Sequence, residues 1–429
     1  MSIPCRPPLT SGRCVTVWCC AWRSLRCSSR KRENATLAAM TPLKEECLRL
    51  PGLIDCHVHF REPGGEQKET MATGARSARA GGVLTVCDMP NTSPPTVTVT
   101  ALEDKVRRAA QVKDCDIRFF FGATKREHLD ELKRLWTDQK LHSLKARCAG
   151  LKVYMDHSTG NQGMEESLIP EAFKLCAELS IPLVAHCEDP EINRRATEEL
   201  KQKDITAHSL MRPPESEERA VARVIELASQ YGTHTHATHI SSRDAMTLIR
   251  TAKANGVPIT CDVTPHHLFL TIDDYAKLGT LAKMNPPLRS IRSAAHQSAL
   301  WAAITDGTVD CIASDHAPHT LAEKQTADIL KAPSGVPGVE TMLPLLLTVA
   351  AGKWPGPKLQ ATNYKLQVED IVRLCFTNPN RIFSLRAPSG DRVEVKMSEE
   401  WVIHGNALHS KCGWTPYEGW KVVGKITPL

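Results

Sequence analysis

The sequence predicts an α/β fold: a (β/α)8 TIM-like barrel with a small β appendage. Three observations carry that expectation. Eight short β-rich runs follow one another between residues 53 and 318, with helical patterns between most of them. The body at 51–385 has the length of one such barrel with insertions. After about residue 385, alternating apolar and polar residues gather around turn signals.

In order, the expected strands are LIDCHVHF (53–60), GVLTVCDMP (82–90), IRFFFGA (117–123), GLKVYM (150–155), IPLVAHCE (181–188), THTHATHI (233–240), VPITCDVTP (257–265) and VDCIASDHAP (309–318). Helical segments are expected at 99–112, 127–136, 165–179, 215–229, 242–255 and 292–305, and Gly or Pro often sits just before a strand. An open doubly wound sheet is the alternative. Its nucleotide-binding version needs a glycine-rich loop, and no GxGxxG or GxxxxGK[ST] occurs. Residues 386–429, in RVEVKMSEEWVIHG and WTPYEGWKVVGKI, are expected to form the appendage with 41–50, which holds LKEECLRL at 43–50.

Residues 1–40 are set apart. They hold seven Lys/Arg, one acid and five cysteines, around the apolar run VTVWCCAW. A mitochondrial-type presequence favours Arg and Ser and avoids acids in this way. A start at Met40 is another reading, and the lack of amphipathic periodicity favours a disordered or artefactual leader. With that segment set aside, the body carries 47 basic and 47 acidic residues, so bulk charge offers no nucleic-acid surface. No apolar stretch approaches the roughly 20 residues that span a bilayer. The remaining cysteines are scattered without CxxC spacing, as suits buried free thiols in a cytoplasmic protein.

The polar residues fall at the strand ends. LIDCHVHFREP places His57, His59 and Arg61 on one face by the period-two alternation of an extended chain. Asn91 follows the second strand, Lys152 lies within GLKVYM, His186 ends IPLVAHCE, His239 ends the sixth run, and Asp315 ends CIASD. Each has a plain structural alternative. His186 could be a hydrogen-bonded histidine at the core's edge, Asp315 a helix N-cap, and Lys152 a snorkelling side chain. Of His234, His236 and His239, one or two at most would be ligands. In a barrel, however, these strand ends converge on one rim, and together they make a metal site. Imidazole and carboxylate donors without thiolates point to zinc, or to another divalent ion that prefers nitrogen and oxygen. Five such ligands exceed one tetrahedral site that keeps a place for water, so two ions are expected. Lys152 fits among cations once CO₂ converts its amine to a bridging carbamate.

The motifs PGLIDCHVHFREPG, AGGVLTVCDMPNT, GLKVYM, VAHCE, PHHLFL, KMNPPLR, ASDHAPHT and GVETMLPLLLT resemble the amidohydrolase superfamily, and within it the dihydroorotases. The tail WTPYEGWKVVGK is similar to that of the dihydroorotase domain in the animal multifunctional pyrimidine enzyme. The resemblance implies reversible cyclisation of N-carbamoyl-L-aspartate to L-dihydroorotate in pyrimidine biosynthesis, by a hydroxide held between two Zn²⁺ ions. It assigns His57, His59 and Asp315 to one zinc, His186 and His239 to the other, and carboxylated Lys152 to the bridge. Asp315 is the implied general acid and base. Arg61, Asn91 and His319 would grip the substrate carboxylate, and Asn285, Ser334 and Gly335 would contact the ring. A homodimer with a small-molecule substrate is expected. Allantoinases and hydantoinases share the histidines, but their substrates lack the carboxylate that Arg61 would meet. A barrel kept as a binding protein after losing its metals is the non-enzymatic alternative. The animal domain's proposed third metal uses a cysteine where this chain has Thr238, which puts that ion in doubt.

Overall fold

Parallel strands need long crossovers, and this sequence spends one on almost every pair. The computed structural model describes residues 47–156, 162–201, 204–289, 293–326, 328–356 and 365–429. The strands are β1 (Cys47–Pro51), β2 (Leu53–Val58), β3 (Val83–Asp88), β4 (Asp116–Gly122), β5 (Cys148–Tyr154), β6 (Leu183–His186), β7 (Thr235–Ala237), β8 (Ile259–Val263), β9 (Cys311–Ile312), β10 (Asp391–Val402) and β11 (Lys421–Pro428). β2 to β9 pair in sequence order, each parallel to the next. Val58 bridges His316, and the His59 N–H donates to the His316 carbonyl at 2.8 Å, which brings the last strand's exit against the first. The sheet thus closes as a barrel. β2 and β3 are buried at every position, as strands covered on both faces must be.

All six expected helices are present, as Val99–Ala109, Arg126–Thr137, Ile169–Leu179, Pro214–Tyr231, Arg243–Ala254 and Ser293–Thr305. Thr98 and Ser242 cap two of them by accepting from Ala101 N and Ala245 N. A helix over Met71–Ala80 was not anticipated. Apart from Met71, its buried face is made of small residues: Gly74, Ala75, Ser77 and Ala78. The reason is close approach: a Cβ on Gly74 would lie 2.5 Å from a Phe60 ring carbon.

β1, β10 and β11 form a separate antiparallel sheet in the order β1-β10-β11. The Val423 N–H donates to Thr348 Oγ1 at 3.0 Å, which ties this sheet to the helix Met342–Ala350. Residues 43–46 of the expected first strand, and the leader at 1–40, lie outside the described residues. Among the described residues the cysteines are free and mostly buried, and no helix is long and apolar enough to cross a membrane.

Candidate active site

The C-terminal strand ends surround a cavity of about 290 Å³. It is lined by His57, His59, Arg61, Asn91, His186, His239, Asn285, Asp315, His319, Ser334 and Gly335, all of which the sequence singled out. Lys152 is the exception. It is fully buried below the cavity floor, with Nζ 3.2 Å from Thr238 Oγ1. The structure also places Lys68, Tyr154, Ala317 and Pro333 in the wall. Tyr154 could have been found from its spacing, two residues beyond Lys152 and so on the same strand face. Lys68 lies in a loop, where no periodicity marks it.

Asp315 is the hub of the imidazole cluster. Its Oδ1 lies 3.3 Å from His57 Nε2 and 3.1 Å from His59 Nε2. No helix starts at this residue, so the N-cap alternative falls. His186 Nδ1 is 3.0 Å from His239 Nε2, and the His57 and His239 rings lie 5.3 Å apart. Donor atoms of His57, His239 and Asp315 all fall within 4.8 Å of one another. Nδ1 of His57 and Nδ1 of His239 are buried without a hydrogen-bond partner. Buried nitrogens usually find partners, so this cluster fits an ion that would use them.

The electrostatics agree. Burial pushes the His57, His59 and His239 imidazoles below their ordinary range, with neighbouring cations adding to the effect on His57 and His239, so they stay neutral and able to ligate. Burial also lowers the Lys152 amine to about 8, against the pull of Asp262 and Asp315. A neutral amine is the form that reacts with CO₂.

Outer hydrogen bonds fix the rings. The His59 Nδ1–H donates to Asn91 Oδ1, and the His186 Nε2–H to Glu188 Oε2 at 2.8 Å. Both bonds aim the opposite nitrogen at the cluster. Glu188 is itself gripped by Arg212, at 3.0 Å to Oε1 and 2.8 Å to Oε2, while Arg212 also pairs with Asp156. Burial alone would raise the Glu188 carboxyl, but Arg212 and His186 outweigh it and hold it well below the carboxylate range. His239 is anchored through its backbone N–H, which donates to Asp262 Oδ1 at 2.6 Å. His236 pairs with Asp262 Oδ2 at 2.9 Å and stays out of the cluster, and His234 also remains outside the cavity wall.

Positive charge gathers at the other side of the cavity. Arg61 Nε donates to the Pro318 carbonyl at 3.1 Å. His319 Nδ1 lies 3.2 Å from the Lys68 ammonium, and its Nε2 lies 3.1 Å from both Arg61 Nη2 and the Ser334 carbonyl. Burial and these cations hold His319 well below the ordinary imidazole range. Arg61, His239 and Asp315 all adopt positive φ, at 63°, 42° and 45°. Non-glycine residues rarely do so, and such strain persists where surrounding structure over-determines it. Here it falls on three cavity-lining residues just beyond their strands.

A cluster of neutral imidazoles with one carboxylate, beside a guanidinium, suits metal-assisted chemistry on an anionic small molecule. The family model described as the amidohydrolase family matches residues 48–391. A dihydroorotase of Halobacterium salinarum is 41% identical, over 86% of this chain and 82% of its own. The multifunctional protein CAD of Squalus acanthias is 34% identical over 88% of this chain and 14% of its own length. The solved L-hydantoinase (dihydropyrimidinase) of Arthrobacter aurescens is similar in fold, with a TM-score of 0.79, 25% identity and coverage of 88% and 83%. The chain belongs to the amidohydrolase family, among the dihydroorotases.

Proposed function

We propose that the chain is a cyclic amidohydrolase that interconverts N-carbamoyl-L-aspartate and L-dihydroorotate in pyrimidine biosynthesis. The observation that carries this reading is the guanidinium of Arg61 in the same cavity as the His57–His59–His239–Asp315 cluster. His57, His59 and Asp315 would hold one zinc ion, His186 and His239 a second, with carboxylated Lys152 between them. Zinc supplies a Lewis acid there and lowers the pKa of water towards about 7.

The chain's own residues divide the remaining work. The Lys152 amine, whose neutral fraction burial increases, forms an N–C bond with CO₂ and gives up a proton, which leaves an anionic carbamate. Arg61 binds the substrate carboxylate bidentately, with Asn91 and His319 beside it. Asn285, Ser334 and Gly335 bound the ring. In the hydrolytic direction Asp315 takes a proton from water and passes it to the departing ring nitrogen. In the cyclising direction the ureido nitrogen yields that proton through Asp315, and it leaves with water. A homodimer acting in the cytoplasm completes the reading, for which sedimentation and cell fractionation are the checks.

The test is a cyclisation assay on carbamoyl-aspartate with metal analysis of the same sample. Zinc-loaded protein is expected to turn over, and Asp315→Ala to abolish turnover with the melting transition retained. Turnover of hydantoin or allantoin, with none of dihydroorotate, overturns the proposal.

A further inference from the structure

Among the described residues, four cavity-lining side chains bury a polar atom that has no hydrogen-bond partner: His57, His239, Asn285 and Tyr154. The first three already have work, as two metal ligands and one ring contact. Tyr154 does not. It is 4% exposed, and its hydroxyl, which could both donate and accept, does neither. Unsatisfied buried groups are uncommon in folded proteins, and one in a reaction cavity calls for a ligand.

The strand explains where that hydroxyl sits. Lys152 and Tyr154 are two apart on β5 and share its inward face. The Lys152 Nζ lies 5.0 Å from the Tyr154 ring centroid, and the His186 ring lies 6.0 Å from it. The ring therefore packs against the lysine and a histidine of the metal cluster. Tyr154 lines the cavity on that side. Phenylalanine would fill the same space without the cost of a bare hydroxyl.

We infer that Tyr154 is a further catalytic residue, whose phenol donates a hydrogen bond to the carbonyl oxygen of the amide bond that is made or broken. This rests on the dihydroorotase reading. As that carbon becomes tetrahedral its oxygen gains negative charge, and a donor fixed beforehand in a buried site stabilises the charge without reorganising. An ordinary phenol keeps its proton at neutral pH, so the group acts as a donor. No proton is transferred in this role. The hydrogen bond shortens as charge builds and relaxes as the product forms.

The test is Tyr154→Phe in the zinc-loaded chain, with dihydroorotate hydrolysis followed alongside zinc content and melting temperature. The expected result is a kcat lower by about a hundredfold, as for loss of one oxyanion donor, with KM, zinc content and melting temperature near wild type. Tyr154→Leu, which also removes the ring, is expected to lose at least as much. Wild-type kcat in the folded Tyr154→Phe variant overturns the inference. So does a change confined to KM, which would place the hydroxyl on a part of the substrate that does not react. A wild-type chain inert toward both carbamoyl-aspartate and dihydroorotate overturns the dihydroorotase reading itself, and so is a distinguishable failure.

Discussion

His59 and Asn91 share a 2.6 Å hydrogen bond between Nδ1 and Oδ1. The amide oxygen can only accept, so the imidazole proton sits on Nδ1, and Nε2 faces Asp315 as a free donor atom. Asn91 was singled out from the sequence for the substrate carboxylate alone. Its Oδ1 is committed to His59, which leaves its amide nitrogen for the substrate. Asn91→Ala is therefore expected to act twice. Zinc affinity should fall about 10- to 100-fold, as when other partners of metal-bound histidines are lost. KM for dihydroorotate should rise as well. Titration against a chelator reads the first effect and initial rates the second.

Arg61 offers a test of carboxylate recognition. Lysine keeps the charge but not the planar fork of donors. Arg61→Lys is expected to raise KM about ten- to hundredfold, the range for losing a charge-assisted hydrogen bond, with a smaller effect on kcat. Wild-type KM in this variant would remove Arg61 from the substrate site.

Gly335 is held by geometry. Its φ is +137°, and a Cβ there would lie 2.6 Å from the Ala317 carbonyl oxygen and 3.2 Å from His319 Nε2. Alanine at positive φ is strained, and here it would also displace His319. Gly335→Ala is expected to lower the melting temperature and to cut dihydroorotate turnover at least about tenfold, given how steeply rate depends on substrate position.

Acid stability follows from two buried histidines that do not line the cavity. His208 Nε2 donates to the Met284 carbonyl at 2.8 Å, and His267 Nε2 to the Pro286 carbonyl at 2.9 Å. Burial, chiefly, lowers His208 to about 3 and His267 to about 4. Unfolded, both titrate near pH 6.5. Below that pH the unfolded chain binds protons that the folded chain refuses, so stability falls as pH drops from about 6.5 towards 4 and 3. Melting temperature against pH should show this acid limb. His208→Gln, at matched zinc, should flatten it by the share that His208 contributes.

Much of the barrel was legible because its strands are short apolar runs punctuated by Gly and Pro, with functional residues at one end. What could not be read were the points where the chain stops being a strand. The run at 309–318 yields only Cys311–Ile312 as β9, because the backbone bends to positive φ at Asp315. The run at 233–240 yields Thr235–Ala237 for the same reason at His239. Two of the candidate ligands, His239 and Asp315, are thus residues that break the pattern. The metal-ligand candidates were legible because histidines and an aspartate are rare at strand ends. The partners that orient them, Glu188, Arg212 and Asp262, were not, since each looks like an ordinary charge until the fold buries it. Tyr154 passed as a strand-forming aromatic.

The bridge between Val58 and His316 has a consequence in time. Arg61 and His319, whose side chains meet at 3.1 Å, stand 258 residues apart. A ribosome delivers His57 and His59 long before Asp315 exists, on a strand whose other edge still lacks its neighbour. Until that last stretch emerges, a nascent chain holds His57 and His59 without the carboxylate that lies beside them in the folded protein. The cluster as a whole is therefore an event of the finished chain.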